Sequence, residues 1–404
     1  MKPAWLVLVC SFAQAQDFTQ RGYIETSLTA YPQTAPGDSG QAIGNAQIRY
    51  EASQKIASWV RLYVAFDART DSHRMAERDW RFDWQDRSIQ RPAFWLRRLS
   101  AVAHKGPISF EFGKQFIRWG KADVFNPMDR FAPRDFLNVV DTDFLGVPAA
   151  RLTYEKGSET FEIISQLRFT PSRIPLLNQR WVVLPEEASG ITFVNGQRRY
   201  PGGTATGVRW NHLAKGYEYS FAFYDGHNHL SQFDAAITPK LAVAINQSYA
   251  QMRMYGATAA VPLQWFTLKG ESAYFTSSTK TVDEYFQYVV QLERQSGEWS
   301  FVGGYAGEVV TLHRNPFGFA PDRGLSKAFV GRASLQIDPQ QVMAFEAAIR
   351  QNGDGTWIKG EYTRTLSAQW KAVGGFSWIR GVAGDFLGQY KRNSHAQLAL
   401  RWSF

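Results

Sequence analysis

The feature that most constrains this chain is a period of two in its apolar residues, repeated from one segment to the next. In "SWVRLYVAFD" (58–67), Val60, Leu62, Val64 and Phe66 fall on one side, and Trp59, Arg61, Tyr63 and Asp67 on the other. The segments "TFEIISQLRF" (160–169), "YEYSFAFY" (217–224) and "VMAFEAAIRQ" (342–351) repeat the pattern. Side chains alternate across a strand, so each segment reads as a strand with one apolar and one polar face. Past the N-terminus no stretch reaches the ~18 consecutive apolar residues that a membrane-crossing helix needs. The mean hydropathy of −0.33 does not bear on membrane strands. Strands that give only every second residue to lipid average out as polar.

The connections alternate in length. Short turns are expected at 53–55, 104–107, 155–159, 213–217, 294–298 and 338–340. Longer polar segments lie near 69–90, 118–146, 170–203, 226–245 and 312–325. "NGDG" (352–355) reads as a tight hairpin on the long-loop side; it lacks the spaced carboxylates of a calcium loop. Short turns at one end and long loops at the other fit an up-and-down transmembrane barrel. The expected fold is therefore all-β, an antiparallel barrel of about 18 strands, with 16 or 14 as alternatives. Its short turns would be periplasmic and its long loops extracellular. Closure follows from the solvent: in hydrocarbon every backbone N–H and C=O must find an internal partner, and a closed sheet has no unpaired edge.

The first fifteen residues read as an export signal. Lys2 is a positive start, Ala4 to Ala13 an apolar stretch, and Ala13-Gln14-Ala15 a cleavage pattern, so the expected mature chain begins at Gln16. Cys10 is the chain's one cysteine and falls inside that segment, after Val9, where a lipoprotein site would want a small residue. The expected mature chain thus has no thiol or disulfide chemistry. No linker or composition shift divides residues 16–404, which read as one barrel domain. The net charge is +9 and the pI about 9.5. The basic residues are interleaved with acids and form no run, which argues against nucleic-acid binding.

The C-terminal segment "NSHAQLALRWSF" places Ala396, Leu398, Leu400, Trp402 and Phe404 on one face. A terminal Phe after alternating apolar residues resembles the C-terminal signature of Gram-negative outer-membrane proteins. The resemblance implies an outer-membrane location and a terminal strand, ending in Phe404, that the barrel-assembly machinery reads. A second resemblance covers about 105–157. Gly113-Lys114-Gln115, then Trp119-Gly120, then Asn126-Pro127 with Asp129 looks like a signature of porin-like outer-membrane barrels. The alginate-export channels are similar in the strand that carries the G-[KR]-Q motif and in their Arg-rich 18-stranded barrel. The resemblance implies a channel and leaves its solute open.

Parity assigns Arg49, Arg61, Arg151, Arg168, Arg209, Arg253, Arg332 and Arg350 to the lumen wall, with Glu111, Glu162 and Glu346 among the acids facing them. The two signs nearly balance. Such a wall either borders a wet channel with a transverse field or fills a closed lumen with self-satisfying ion pairs. Barrels of this strand number leave an aqueous channel, which favours the first.

The segment 118–146 is the chain's outstanding loop. Arg118, Lys121, Arg130 and Arg134 lie among Asp123, Asp129, Asp135, Asp141 and Asp143. Loops this long are functional or disordered, and Trp119, Phe125, Phe131, Phe136 and Phe144 need burial and argue for order. It reads as a folded loop at or inside the barrel mouth that constricts the pore, plugs it, or recognises an anionic or sugar-like solute.

Other constellations carry less. His227 and His229 lack a second ligand pair and read as an exposed polar loop. Nothing resembles G-x-S-x-G, and five Asp residues among four cations read as ion pairs rather than an acid–base dyad. Gly303, Gly304, Gly374 and Gly375 read as strand glycines. The expectation is a non-enzymatic, cofactor-free outer-membrane channel for passive diffusion of small hydrophilic solutes. Alternatives are a sugar- or polysaccharide-specific channel and a closed enzyme or receptor barrel.

Overall fold

The computed structural model describes residues 17–183, 188, 190–314 and 319–404. The expected export signal, residues 1–15, lies outside them. The chain forms a closed antiparallel barrel of 18 strands. Its first strand, Phe18–Ala30, pairs with the last, His395–Ser403, from Tyr23 opposite Ser403 to Ala30 opposite Ala396. Gly22 and Phe404 exchange backbone hydrogen bonds at 2.9 and 3.0 Å and lock the lower end of this seam. A side chain at position 22 would collide with the Phe404 ring.

The strands form where alternation predicts them, and the alternating residues meet opposite environments. Phe161 and Ile163 are exposed on the outer face while Glu162 and Ile164, which alternate with them, are buried. The same holds for Phe221 against Ala222 and for Phe329 against Val330. The short turns at 106, 157, 216 and 297 each place a glycine at a φ of 58–86°, a region that costs other residues energy. One expected turn is absent. Ser53, Gln54 and Lys55 continue the strand Ala42–Ala57, paired with Tyr63, Leu62 and Arg61, and the chain reverses at 58–59. The small polar residues there sit on a strand end near the rim, where polarity costs nothing.

At the other rim the long loops carry structure of their own. Phe193–Arg198, Gln232–Ile237 and Val243–Ser248 make a three-stranded sheet. Phe82–Asp83 pairs in parallel with Phe94–Trp95. It continues the wall above the strand Ile108–Gln115, which stops after 8 residues and turns inward.

Candidate functional site

The inward turn begins at the G-K-Q motif. Gly113 has φ +123°, and a Cβ there would strike the Leu99 carbonyl. Only glycine holds this kink without strain. Lys114 is buried against Asp86 at 2.5 Å and donates to the Trp84 carbonyl at 2.9 Å. Gln115 donates to the Ala149 carbonyl at 3.0 Å. The chain then enters the barrel. Asp129 accepts the backbone N–H groups of Trp119 and Gly120, both at 2.7 Å, and the Arg118 Nε at 3.2 Å. The Asn126 amide donates to the Ala122 carbonyl, and the Pro127 carbonyl accepts Arg130 Nε at 2.8 Å. These bonds close the W-G and N-P-x-D pieces into one compact turn.

The far wall receives this turn. Glu271, on the strand Thr267–Thr276, accepts the N–H groups of Lys121 at 2.9 Å, Ala122 at 3.2 Å and Met128 at 2.8 Å. Trp119 Nε1 donates to Glu162, which also holds Arg151. Lys121 pairs with Glu218, Asp123 with Lys269 at 3.7 Å, and Arg130 with Asp322 at 2.9 Å. The loop therefore crosses the lumen and is bonded on several sides.

Its apolar residues explain why it stays there. Ile117, Trp119, Met128 and Phe131 pack against Ile164, Tyr224, Met252, Met254 and Phe275 of the wall. Ala122, Phe125 and Val139 pack against Val289, Val330, Trp357 and Ile379. The inner face of those strands thus carries apolar patches among its polar residues, where parity predicts a polar lumen. The aromatic anchors of the loop need partners, and the wall supplies them. Gly207 leaves room for the Trp119 and Phe131 rings and Gly256 for Met128.

This packing corrects two wall assignments. Met252 and Met254 point inward against the loop, so Arg253 between them faces outward, 2.9 Å from Asp225 at the rim. Arg168 lies beyond the end of the strand Glu159–Gln166 and rests over Trp84, outside the lumen. The other candidates point inward. Arg49 pairs with Asp67 at 2.8 Å, Arg332 with Glu346 at 3.6 Å, and Arg350 with Asp385 at 2.9 Å. Arg61 donates to Ser53, Arg209 to the Trp119 carbonyl, and Glu111 accepts Arg98 at 2.8 Å.

The loop's own charges divide into two groups. Asp129, Arg130 and Asp135 are structural. Asp135 is buried between Arg91 at 2.9 Å and Arg173 at 3.2 Å. Burial would raise its carboxyl; Arg91 and Arg173 overcome this and hold it well below the usual carboxylate range. Lys121 is held in its pair with Glu218. Arg118 and Arg134 both lie over the Phe144 ring, each 4.4 Å from its centroid. Asp123, Asp141 and Asp143 are the carboxylates that keep contact with water. Asp143 meets Arg97 at 2.6 Å, and Asp141, 52 % exposed, meets Lys359 at 3.3 Å.

Several site residues escape sequence reasoning. Asp67 collects Arg49, Arg69 and Arg97 from three strands. His229 is not in an exposed loop: it is buried, with Nδ1 2.6 Å from the Thr170 carbonyl and Nε2 2.9 Å from the Arg130 carbonyl. Its single N–H when neutral serves one of these carbonyls, and the ring fills the space between the inward loop and its neighbour. Among the described residues no group of three or more His, Cys, Asp or Glu is placed to hold a metal ion.

Two polar cavities remain between the loop and the seam strands. One, of about 260 Å³, runs past Arg69, Asp71 and Trp181 on the long-loop side. The other, of about 290 Å³, runs past Lys359, Glu361, Lys371 and Arg401 toward the short turns. Both are lined by Glu25, Asp141, His395 and Gln397. From His395 to Arg401 the strand is about 20 Å long, and the two cavities together form a cleft along it.

No family model and no curated protein matches the chain. Solved structures do. OccAB1 of Acinetobacter baumannii matches at 10% identity and a TM-score of 0.56, over 96% of each chain. A BenF-like porin from Pseudomonas fluorescens Pf-5 matches at 8% identity and 0.54, over 96% of this chain and 97% of that one. OccAB4 of Acinetobacter baumannii matches at 10% and 0.52, over 97% and 99%. At such identities the likeness is one of fold, and it extends over essentially the whole barrel.

Proposed function

We propose that the protein is an outer-membrane channel that passes small hydrophilic solutes by passive diffusion, narrowed by the inward loop 118–146. The observation that carries this reading is the polar cleft between the loop and the seam strands, with Asp141 and Lys359 of the loop and wall at its middle. A loop that merely filled the barrel would have no reason to leave charged side chains facing water there. Opposed carboxylates and cations set a field across the cleft and favour polar, hydrated solutes over apolar ones. The outer band of Phe, Leu, Ile and Trp side chains supports a membrane setting. The fold shared with a BenF-like porin supports the channel class. The cleft needs no cofactor and no energy source to act in this way. The terminal strand with Phe404, which closes the barrel against Gly22, is in this reading also the segment that the assembly machinery handles. The test is electrical. The refolded protein in a planar bilayer should give discrete, ohmic current steps, and a folded protein that gives none at any voltage would refute the reading.

A further inference from the structure

The outer rim beside the inward loop carries a second feature that a channel does not require. Phe82 pairs with Phe94, whose neighbour across the wall, Ala68, shares the lipid side with exposed Phe66. Phe82 therefore faces outward, and Trp80, against the outward Phe94 ring, lies on the same side. The three are 77%, 59% and 43% exposed for Trp80, Phe82 and Trp84, and Trp80 lies against the Phe94 ring at 4.7 Å. They continue the lipid-facing band upward, where the neighbouring strand has turned inward.

Arginines border this band. The Arg168 guanidinium is 5.4 Å from the Trp84 ring, and those of Arg87 and Arg198 are 4.3 and 5.7 Å from the Tyr200 ring. Arg87 donates to the Phe169 carbonyl and Arg198 to the Arg87 carbonyl, which ties three loop segments together. Among the described residues none of the three has a carboxylate at ion-pair distance, unlike Arg49, Arg97, Arg151 and Arg350 of the lumen. Arg87 Nε is buried without a partner. Asp83, the nearby acid, is occupied by the backbone N–H groups of Gln85, Asp86 and Ser88. Burial lowers the Arg87 pKa, and repulsion from Arg168 and Arg198 adds to it. Like charges gathered with no described carboxylate at ion-pair distance repel one another, and a bound anion relieves that repulsion.

We propose that this rim is a binding site for a phosphate-bearing glycolipid of the outer leaflet, with Arg87, Arg168 and Arg198 on its phosphate and Trp80, Phe82 and Trp84 along its acyl chains. Guanidinium forks match phosphate oxygens in pairs, and aromatic rings suit the level where chains meet headgroups. A soluble anion would use the arginines and have no need of the outward aromatics. The site presupposes the outer-membrane setting proposed above, with the long-loop rim outward.

The experiment titrates the detergent-refolded full chain with bis-phosphorylated lipid A by native mass spectrometry, beside its dephosphorylated form and inorganic pyrophosphate. The wild-type protein should retain lipid A, Arg168→Gln should weaken retention severalfold, and the triple variant R87Q/R168Q/R198Q at least tenfold. W80S/W84S should weaken lipid A without affecting pyrophosphate. Among the described residues the Arg168 side chain makes no bond to the backbone, so its variant keeps the test valid if the triple variant folds poorly. Equal retention of lipid A by wild type and Arg168→Gln would overturn the proposal. So would equal binding of the dephosphorylated lipid, or pyrophosphate binding as tight as that of lipid A. Single-channel current of Arg168→Gln should equal that of the wild type, which separates this site from the channel: loss of current in the wild type bears on the channel reading alone.

Discussion

Glu271 holds the inward loop most directly, and Glu271→Gln measures how firmly. Its Oε2 accepts the N–H groups of Lys121 and Ala122, and its Oε1 accepts that of Met128. A glutamine of the same shape keeps its carbonyl on the Lys121 and Ala122 N–H groups and turns its NH2 toward the Met128 N–H, so one of the three bonds is lost. Hydrogen bonds to a charged acceptor contribute about 1.5–3 kcal/mol each. The seated loop therefore weakens by about 1.5–3 kcal/mol, and the released fraction rises by roughly 10–10²-fold. The apolar contacts of Trp119, Met128 and Phe131 still favour seating. The expected phenotype is therefore a barrel that stays folded while its loop leaves and returns. In single-channel recordings this appears as excess open-channel noise and excursions to a larger conductance. Limited proteolysis should cut after Lys121 or Arg130 in the variant and not in the wild type. If E271Q shows wild-type current, wild-type noise and wild-type protease resistance together, the account of the loop as a wall-anchored constriction is wrong.

Further outcomes follow from the same network. Removing residues 123–143 should raise unitary conductance, and an unchanged value would mean that the loop does not limit the current. Arg173 is buried between Asp86 at 2.9 Å and Asp135 at 3.2 Å; Arg173→Ala leaves Asp86 to Lys114 alone and Asp135 to Arg91 alone, and the two lost charge-assisted hydrogen bonds should cost about 3–6 kcal/mol, read as a lower urea midpoint for the detergent-folded barrel. Burial pushes the His229 imidazole down to about 4, against the pull of the Thr170 and Arg130 carbonyls. The seated ring stays neutral while a freed ring protonates near 6.5, so seating is strongest above about pH 6.5 and weakens as pH falls toward 4, by about 3 kcal/mol. Between pH 7 and about 4.5 loop noise should grow more in the wild type than in His229→Gln. Asp141→Asn leaves Lys359 unpaired in the cleft and should move the reversal potential in a salt gradient toward anion preference.

The barrel was legible because lipid and lumen sort side chains residue by residue, so alternation in the sequence becomes exposure in the fold, as at Phe161 to Ile164. The order of the long loop was legible from its aromatics. The partners of its charges were not. Asp67 draws arginines from three strands, and Glu271 meets the loop across about 150 residues of chain. Such pairings depend on barrel closure, which brings distant strands together and leaves no local mark. Arg253 was misplaced because parity names two faces without saying which is wet. Where the loop's aromatic anchors pack, part of the inner face is apolar, and Met252 and Met254 take it. Small residues at Gly207 and Gly256 were the one sequence trace of that packing, and they read equally as ordinary strand glycines.

The central claim is that current flows through the cleft between Asp141 and the seam, and a thiol can test it there. The chain's single cysteine, Cys10, lies in the expected export signal, so a Gln397→Cys variant of the mature protein would carry one thiol, placed on the shared lining of the two cavities. A charged methanethiosulfonate reagent added to a conducting Gln397→Cys channel should reduce its unitary current in a single step, reversed by reductant, and leave the wild type unaffected. Confirmed modification of the thiol with no change in current would contradict the account.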